Sequence, residues 1–189
     1  MLTAVTQRCA VGESVCGDDW VVLQDGQSWL LAVIDGLGHG PEARRAAQLA
    51  HATLERCPGL PVERLVEEMG RDLKPSRGAC VGLARVDLQR KHLTCVIVGN
   101  VEIAGEARVR PVPSPGILGR EIRKLRIFET PLSYGDRLYL YSDGISRKVE
   151  LACYRSLPPQ QAADAVVRDF GQSHDDATCL VADLPHGHP

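Results

Sequence analysis

Aromatic side chains are scarce in this chain: two Phe, two Trp and four Tyr amount to 4% of 189 residues. The core must therefore be built from Val, Leu, Ile and Ala. Long Lys/Arg runs are absent as well, and the net charge is −2 with a pI near 6.3. The electrostatic footprint of a nucleic-acid binder is missing, so no DNA or RNA partner is expected. No apolar stretch is long enough to span a bilayer, and the start MLTAVTQRCAVGES has neither the basic residues nor the apolar run of a leader. The expectation is a soluble, cytoplasmic protein without a membrane partner. Cys9, Cys16, Cys57, Cys80, Cys95, Cys153 and Cys179 are odd in number and contain no C-x-x-C pair. A zinc site or disulfide framework is not expected, and cysteines in runs such as ACVGLA and TCVIV read as small hydrophobes.

What is present is globular: 44% apolar and 24% charged residues, in a length suited to one domain spanning 1–189 with a frayed tail at 185–189. Residues 2–11, 19–25 and 29–35 read as strands, the last a continuous apolar run of a buried strand, and these three are expected to pair as neighbours. Ala43, Ala46, Ala47, Ala50 and Leu54 then recur at helical spacing behind Gly40-Pro41, with proline suited to a first turn. Val62, Leu65, Val66, Met69 and Leu73 repeat the stripe after Pro61. Further strands are expected at 79–88, 92–98, 101–104, 107–112, 122–128, 136–142 and 177–184, and a last helix at 159–170, with Ala163, Val166, Val167 and Phe170 on one face. Strands, two helices, many strands, one helix and one strand suit an antiparallel α+β layered domain rather than a βαβ alternation.

Acidic residues recur at strand ends beside small residues: 17-GDD-19, 35-DGLGHG-40, 142-SDG-144 and 175-DDAT-178. Each alone is ordinary turn chemistry. Gathered from four distant segments, without matching Lys or Arg, such carboxylates would repel one another, and a hard divalent cation is the natural compensation. An oxygen-only set favours magnesium or manganese over zinc. Glycine after Asp35 would leave the Gly36 carbonyl open to the same metal.

These four motifs, in this order across residues 13–183, resemble the metal-dependent type-2C (PPM) protein Ser/Thr phosphatases. The DG-x-GHG form, the VGNVEI segment (98–103) and the PGILG loop (115–119) are similar to the SpoIIE/RsbX-like branch, and the chain is most like its stand-alone RsbX type. The resemblance implies a four-layer αββα sandwich, two antiparallel sheets flanked by helices, with a two-metal Mn²⁺ or Mg²⁺ centre at one end. Asp35 would bridge the metals, Asp143 and Asp175 would complete the first, and Asp18 and the Gly36 carbonyl would serve the second. Asp35 and Asp143 would be the catalytic positions. Asp19 and Asp176 stay open as alternatives to Asp18 and Asp175. The implied activity is hydrolysis of phosphoserine or phosphothreonine on STAS-domain stressosome proteins (RsbS/RsbR-like), resetting a stress signal.

The match departs from the family's eukaryotic members at two points. Leu37 stands where they carry a histidine, and the acid role is not transferred to His39, which reads as a loop-shaping residue, or to His174. Their phosphate-gripping arginine has no clear counterpart either; Arg8 and Arg120 are the nearest candidates, Arg120 reading as a surface charge. The basic residues Arg108, Arg110, Arg120, Arg123, Lys124 and Arg126 read as one solvent-facing sheet face. Two other functions remain in view, a non-catalytic pseudophosphatase that binds a partner and a metal-dependent hydrolase of small phosphate esters. The sequence contains neither D-x-D-x-T/V nor G-x-x-x-x-G-K-S/T, which argues against covalent aspartyl phosphatases and P-loop NTPases.

Overall fold

The structure, a computed structural model, describes residues 1–105 and 108–186. Nine strands form two antiparallel sheets among these residues. The first contains β2 (Asp18–Asp25), β3 (Ser28–Gly36), β4 (Ala79–Asp87), β5 (His92–Val98) and β7 (Ile127–Pro131), in that order. The second runs β1 (Leu2–Arg8), β9 (Ala177–Asp183), β8 (Arg137–Tyr141), β6 (Glu102–Ala104). Helices α1 (Gly40–Arg56) and α2 (Val62–Asp72) cover the five-stranded sheet, and α3 (Pro159–Phe170) covers the other.

Three apolar interfaces separate these four layers, as expected of an αββα sandwich. Ala46, Ala47, Ala50 and Leu54 of α1 and Leu65 and Met69 of α2 pack on Leu30, Ala32 and Ile34 of β3. The other face of β3, Leu31 and Val33, meets Leu138, Leu140 and Leu180 between the sheets. Val166 and Val167 of α3 lie against Tyr139, Tyr141 and Val181. Small alanines let α1 lie close to the sheet, and each fully buried Leu or Ile adds about 1.5–3 kcal/mol over exposure. Polar staples supplement this packing. Arg137, 3% exposed, pairs with Asp183 (Nε–Oδ1 2.5 Å) and donates to the Tyr154 and Leu157 carbonyls, tying β8 and β9 to the segment before α3.

Three expectations need correction. β2 and β3 are paired, but β1 joins the other sheet, against β9, from Leu2↔Asp183 to Arg8↔Ala177. Residues 9–17 are too long for a tight hairpin and carry the chain across the sandwich. The strand expected at 107–112 begins outside the described residues, and 108–112 form none, because Pro111 and Pro113 lack ladder donors. Of 122–128 only Ile127 and Phe128 are strand. Residues 111–126 instead run irregularly, held by isolated bridges such as Ala79↔Leu118 and Val98↔Ser114. The basic residues of this segment are exposed, as expected, but on a loop rather than a sheet face.

Candidate active site

Strand parity delivers the acids. Along β3, Leu31 and Val33 point between the sheets, and Asp35 continues that alternation past the end of the apolar run. Asp18 is the direct cross-strand partner of Asp35 in the β2–β3 ladder and shares its face. Asp19, one residue on, faces the opposite way: its carboxylate lies 3.1 Å from His51 Nδ1 and 3.6 Å from Arg44 on α1. The two members of the GDD pair are thus separated by the pleat. Asp143 follows β8 and Asp175 precedes β9, which run antiparallel, so both reach the same end of the sandwich. A cleft of about 290 Å³ opens there, with Asp35, Asp143, Asp175, Asn100, Leu37 and His174 in its walls.

Hydrogen bonds fix most of these groups. Ser142 Oγ donates to Asp18 Oδ2 (2.7 Å) and accepts from the Thr178 amide (3.0 Å). Asn100 Nδ2 donates to Asp143 Oδ2 (2.5 Å), and Gln172 Nε2 donates to the Asp143 carbonyl (2.9 Å). Asp175 accepts the Asp176 amide (2.9 Å). Asp176 turns away and takes two loop amides, Ala10 N (2.9 Å) and Gly17 N (2.8 Å). Gly144 allows the two acidic loops to touch, since a Cβ there would sit 1.8 Å from the Asp176 carbonyl oxygen.

The electrostatics of this arrangement are unfavourable by themselves. Like charges directly opposite on a ladder are destabilising, and no Lys or Arg stands among the described residues lining the cleft. Burial first, then the charges of Asp18, Asp143 and Asp175, push the Asp35 carboxyl well above the usual carboxylate range. Burial does the same to Asp18, partly opposed by hydrogen bonds from Ser142 and Thr178. Asp175 is also raised, by burial and by Asp143. Asn100 Oδ1 is buried with no partner among the described residues. Clustered carboxylates and an orphaned amide oxygen are the donor set of a hard divalent cation.

Gly36 has a structural reason of its own. A Cβ there would lie 2.0 Å from the Ala43 carbonyl oxygen, so glycine is required for the first turns of α1 to cross the end of β3. His39 sits at the helix start and pairs through Nδ1 with Glu13 (2.5 Å), at the cleft rim. Leu37 is 41% exposed beside it. Arg8 donates to the Gln172 carbonyl and Arg120 to that of Ser76. Asn100, Ser142 and Gln172 are not among the acidic positions that the sequence motifs single out. Asn100 and Ser142 lie inside motifs already singled out, VGNVEI and SDG, so the signal was a polar side chain beside a strand end.

A layered αββα domain with a carboxylate cleft at one end of its sandwich is the architecture that the resemblance implied, and its donor set suits a divalent cation. The family model for stage II sporulation protein E (SpoIIE) matches residues 25–185. The phosphoserine phosphatase RsbX of Bacillus subtilis (strain 168) is 27% identical over 149 residues, covering 76% of this chain and 74% of RsbX. A solved chain described under "The bacterial stressosome: a modular system that has been adapted to control secondary messenger signaling" superposes with a TM-score of 0.91 at 32% identity, covering 95% of this chain and 97% of that one. RsbX crystallised in complex with magnesium superposes with a TM-score of 0.85 at 23% identity, over 96% of this chain and 94% of the other. The chain belongs to the SpoIIE family of PPM-type, metal-dependent protein phosphatases. No helix among the described residues is long and apolar enough to cross a membrane.

Proposed function

We propose that residues 1–189 act as one RsbX-like phosphatase unit in the cytoplasm, removing phosphate from phosphoserine or phosphothreonine on a STAS-domain signalling protein of the RsbS/RsbR kind. The observation that carries the hydrolytic part is the cleft lined by Asp35, Asp143 and Asp175 without Lys or Arg among its described lining residues, with buried Asp18 directly across the ladder from Asp35. The stressosome-derived relative and RsbX support the substrate.

Asp35 would be shared by two Mg²⁺ or Mn²⁺ ions, with Asp143 and Asp175 on the first and Asp18 and the Gly36 carbonyl on the second. Bound, the ions supply an acidified water and neutralise phosphoryl charge. The chain's own residues hold this arrangement in place. Asn100 and Gln172 fix Asp143, and Ser142 fixes Asp18. Asp176 and Asp19 stay outside, engaged with loop amides and with α1. Leu37 brings no proton to the cleft, and His39 is held by Glu13.

A pseudophosphatase reading is disfavoured because a binding module has no use for buried, mutually repelling carboxylates. Substrate class is tested by comparing turnover of a phosphorylated STAS protein with that of phosphorylated metabolites at equal concentration. Higher kcat/KM on the phosphoprotein is expected. A clear preference for metabolites would replace this reading with a small-ester hydrolase.

A further inference from the structure

Behind the acidic cleft lies a second cluster of different chemistry. Cys9 and Cys16 stand at the two ends of the loop joining β1 to β2, and that loop folds back so that their sulfurs approach. Asp176 arrives from the segment before β9. The ligand atoms of the three residues all lie within 4.8 Å of one another, with Cys16 and Asp176 buried and Cys9 half-buried. The seven cysteines are free thiols, so this pair is not used in a disulfide.

The cluster is organised by its own backbone. Asp176 Oδ1 accepts the amide of Ala10, which follows Cys9, and Oδ2 accepts the amide of Gly17, which follows Cys16. One carboxylate therefore orients both cysteines through the residue after each. A carboxylate has about four lone-pair sites, so two amide bonds leave Asp176 able to accept further. In a tetrahedral zinc site with Zn–S near 2.3 Å, two sulfurs stand about 3.8 Å apart. The two sulfurs thus need to close by no more than about 1 Å, and each sulfur and the carboxylate by little more, to share one ion. Two thiolates and one carboxylate select a borderline-soft cation, whereas the oxygen-only cleft selects a hard one.

We propose that Cys9, Cys16 and Asp176 form a thiophilic metal site, taking Zn²⁺ with water as fourth ligand. Binding releases the two thiol protons to solvent. The ion fastens the loop whose Gly17 carbonyl accepts the Gly36 amide (3.2 Å) and whose end carries Asp18. The site thereby braces one arm of the acidic cleft without contacting substrate.

The test uses the 189-residue chain, kept reduced with a phosphine, and Cd²⁺ as the probe. A thiolate-to-cadmium charge-transfer band is expected in the ultraviolet, saturating at a single equivalent and displaced by Zn²⁺. It should persist in Asp35→Asn, at least halve in Cys9→Ser and in Cys16→Ser, and vanish in the double variant. In the wild type, Zn²⁺ should slow alkylation of Cys9 and Cys16 severalfold and leave exposed Cys153 unchanged, a measurement that needs no variant to fold. Absence of the band, a band needing a large excess of Cd²⁺, one surviving the double variant, or alkylation indifferent to Zn²⁺ would overturn the site.

Discussion

Replacing Gly36 with alanine tests how the apolar strand, the helix and the acid are coupled. The new Cβ would lie 2.0 Å from the Ala43 carbonyl oxygen, 2.6 Å from its carbon and 2.9 Å from the Gly17 carbonyl oxygen. Cβ contacts essentially never fall below 3.0 Å, so α1 and the end of β3 must separate by about 1 Å. The obstructing atoms are backbone, which cannot rotate aside. Overpacking of this kind costs about 1–3 kcal/mol, and the backbone obstruction argues for the upper end. For a domain of this size that lowers the melting temperature by roughly 6–12 °C. Catalysis should suffer further, because a misplacement of about 1 Å near the chemistry can cost roughly 100-fold. Thermal melts and kcat/KM on p-nitrophenyl phosphate with Mn²⁺ measure the two effects. Gly59→Ala is the control, since a Cβ there meets nothing within 4 Å. A Gly36→Ala protein with wild-type melting and turnover would show that α1 and β3 are not locked together at this glycine.

Other outcomes follow from the same geometry. Asn100→Ala removes the bond to Asp143 Oδ2 and should raise the metal concentration for half-maximal activity by about 10–100-fold; an unchanged metal titration would contradict the role. Arg137→Ala leaves Asp183 unpaired beside a buried void, costing about 3–5 kcal/mol, read as a melting temperature roughly 6–20 °C lower and contradicted by a melt within a degree of wild type. In the metal-free protein the raised carboxyls of Asp35 and Asp18 make the folded state hold more protons than the unfolded one above the ordinary carboxylate range. That contribution to stability is therefore lost as pH rises through the folded values. Melts in EDTA should show Asp35→Asn gaining on wild type with increasing pH, and a gap independent of pH would count against it.

Much of the fold was legible because the apolar periods were regular. The stripes of α1 and α2 are buried at every position expected, and the β3 run is core. The partner of β1 was not legible, since its choice depends on the length of the 9–17 loop and on Asp176 binding Ala10 and Gly17, contacts across more than 150 residues. The segment 111–126 misled because Leu125 and Ile127 alternate with the charged Lys124 and Arg126 like a strand, while Pro111, Pro113 and Pro115 deny its first half a ladder. In the cleft, motif order indicated which loops meet, and pleat parity then distinguished Asp18 from Asp19. Asn100 was hidden because a single amide in a turn has no pattern, and its partner Asp143 lies 43 residues away.

Metal-dependent hydrolysis at Asp35 is measured by turnover of a phosphoserine protein by the wild type with Mn²⁺ or Mg²⁺, with EDTA, and by Asp35→Asn. EDTA should abolish the activity and added metal restore it, and Asp35→Asn should lose more than the roughly 100-fold expected for an outer partner of a ligand. Turnover indifferent to both EDTA and the substitution would contradict metal-dependent hydrolysis at Asp35.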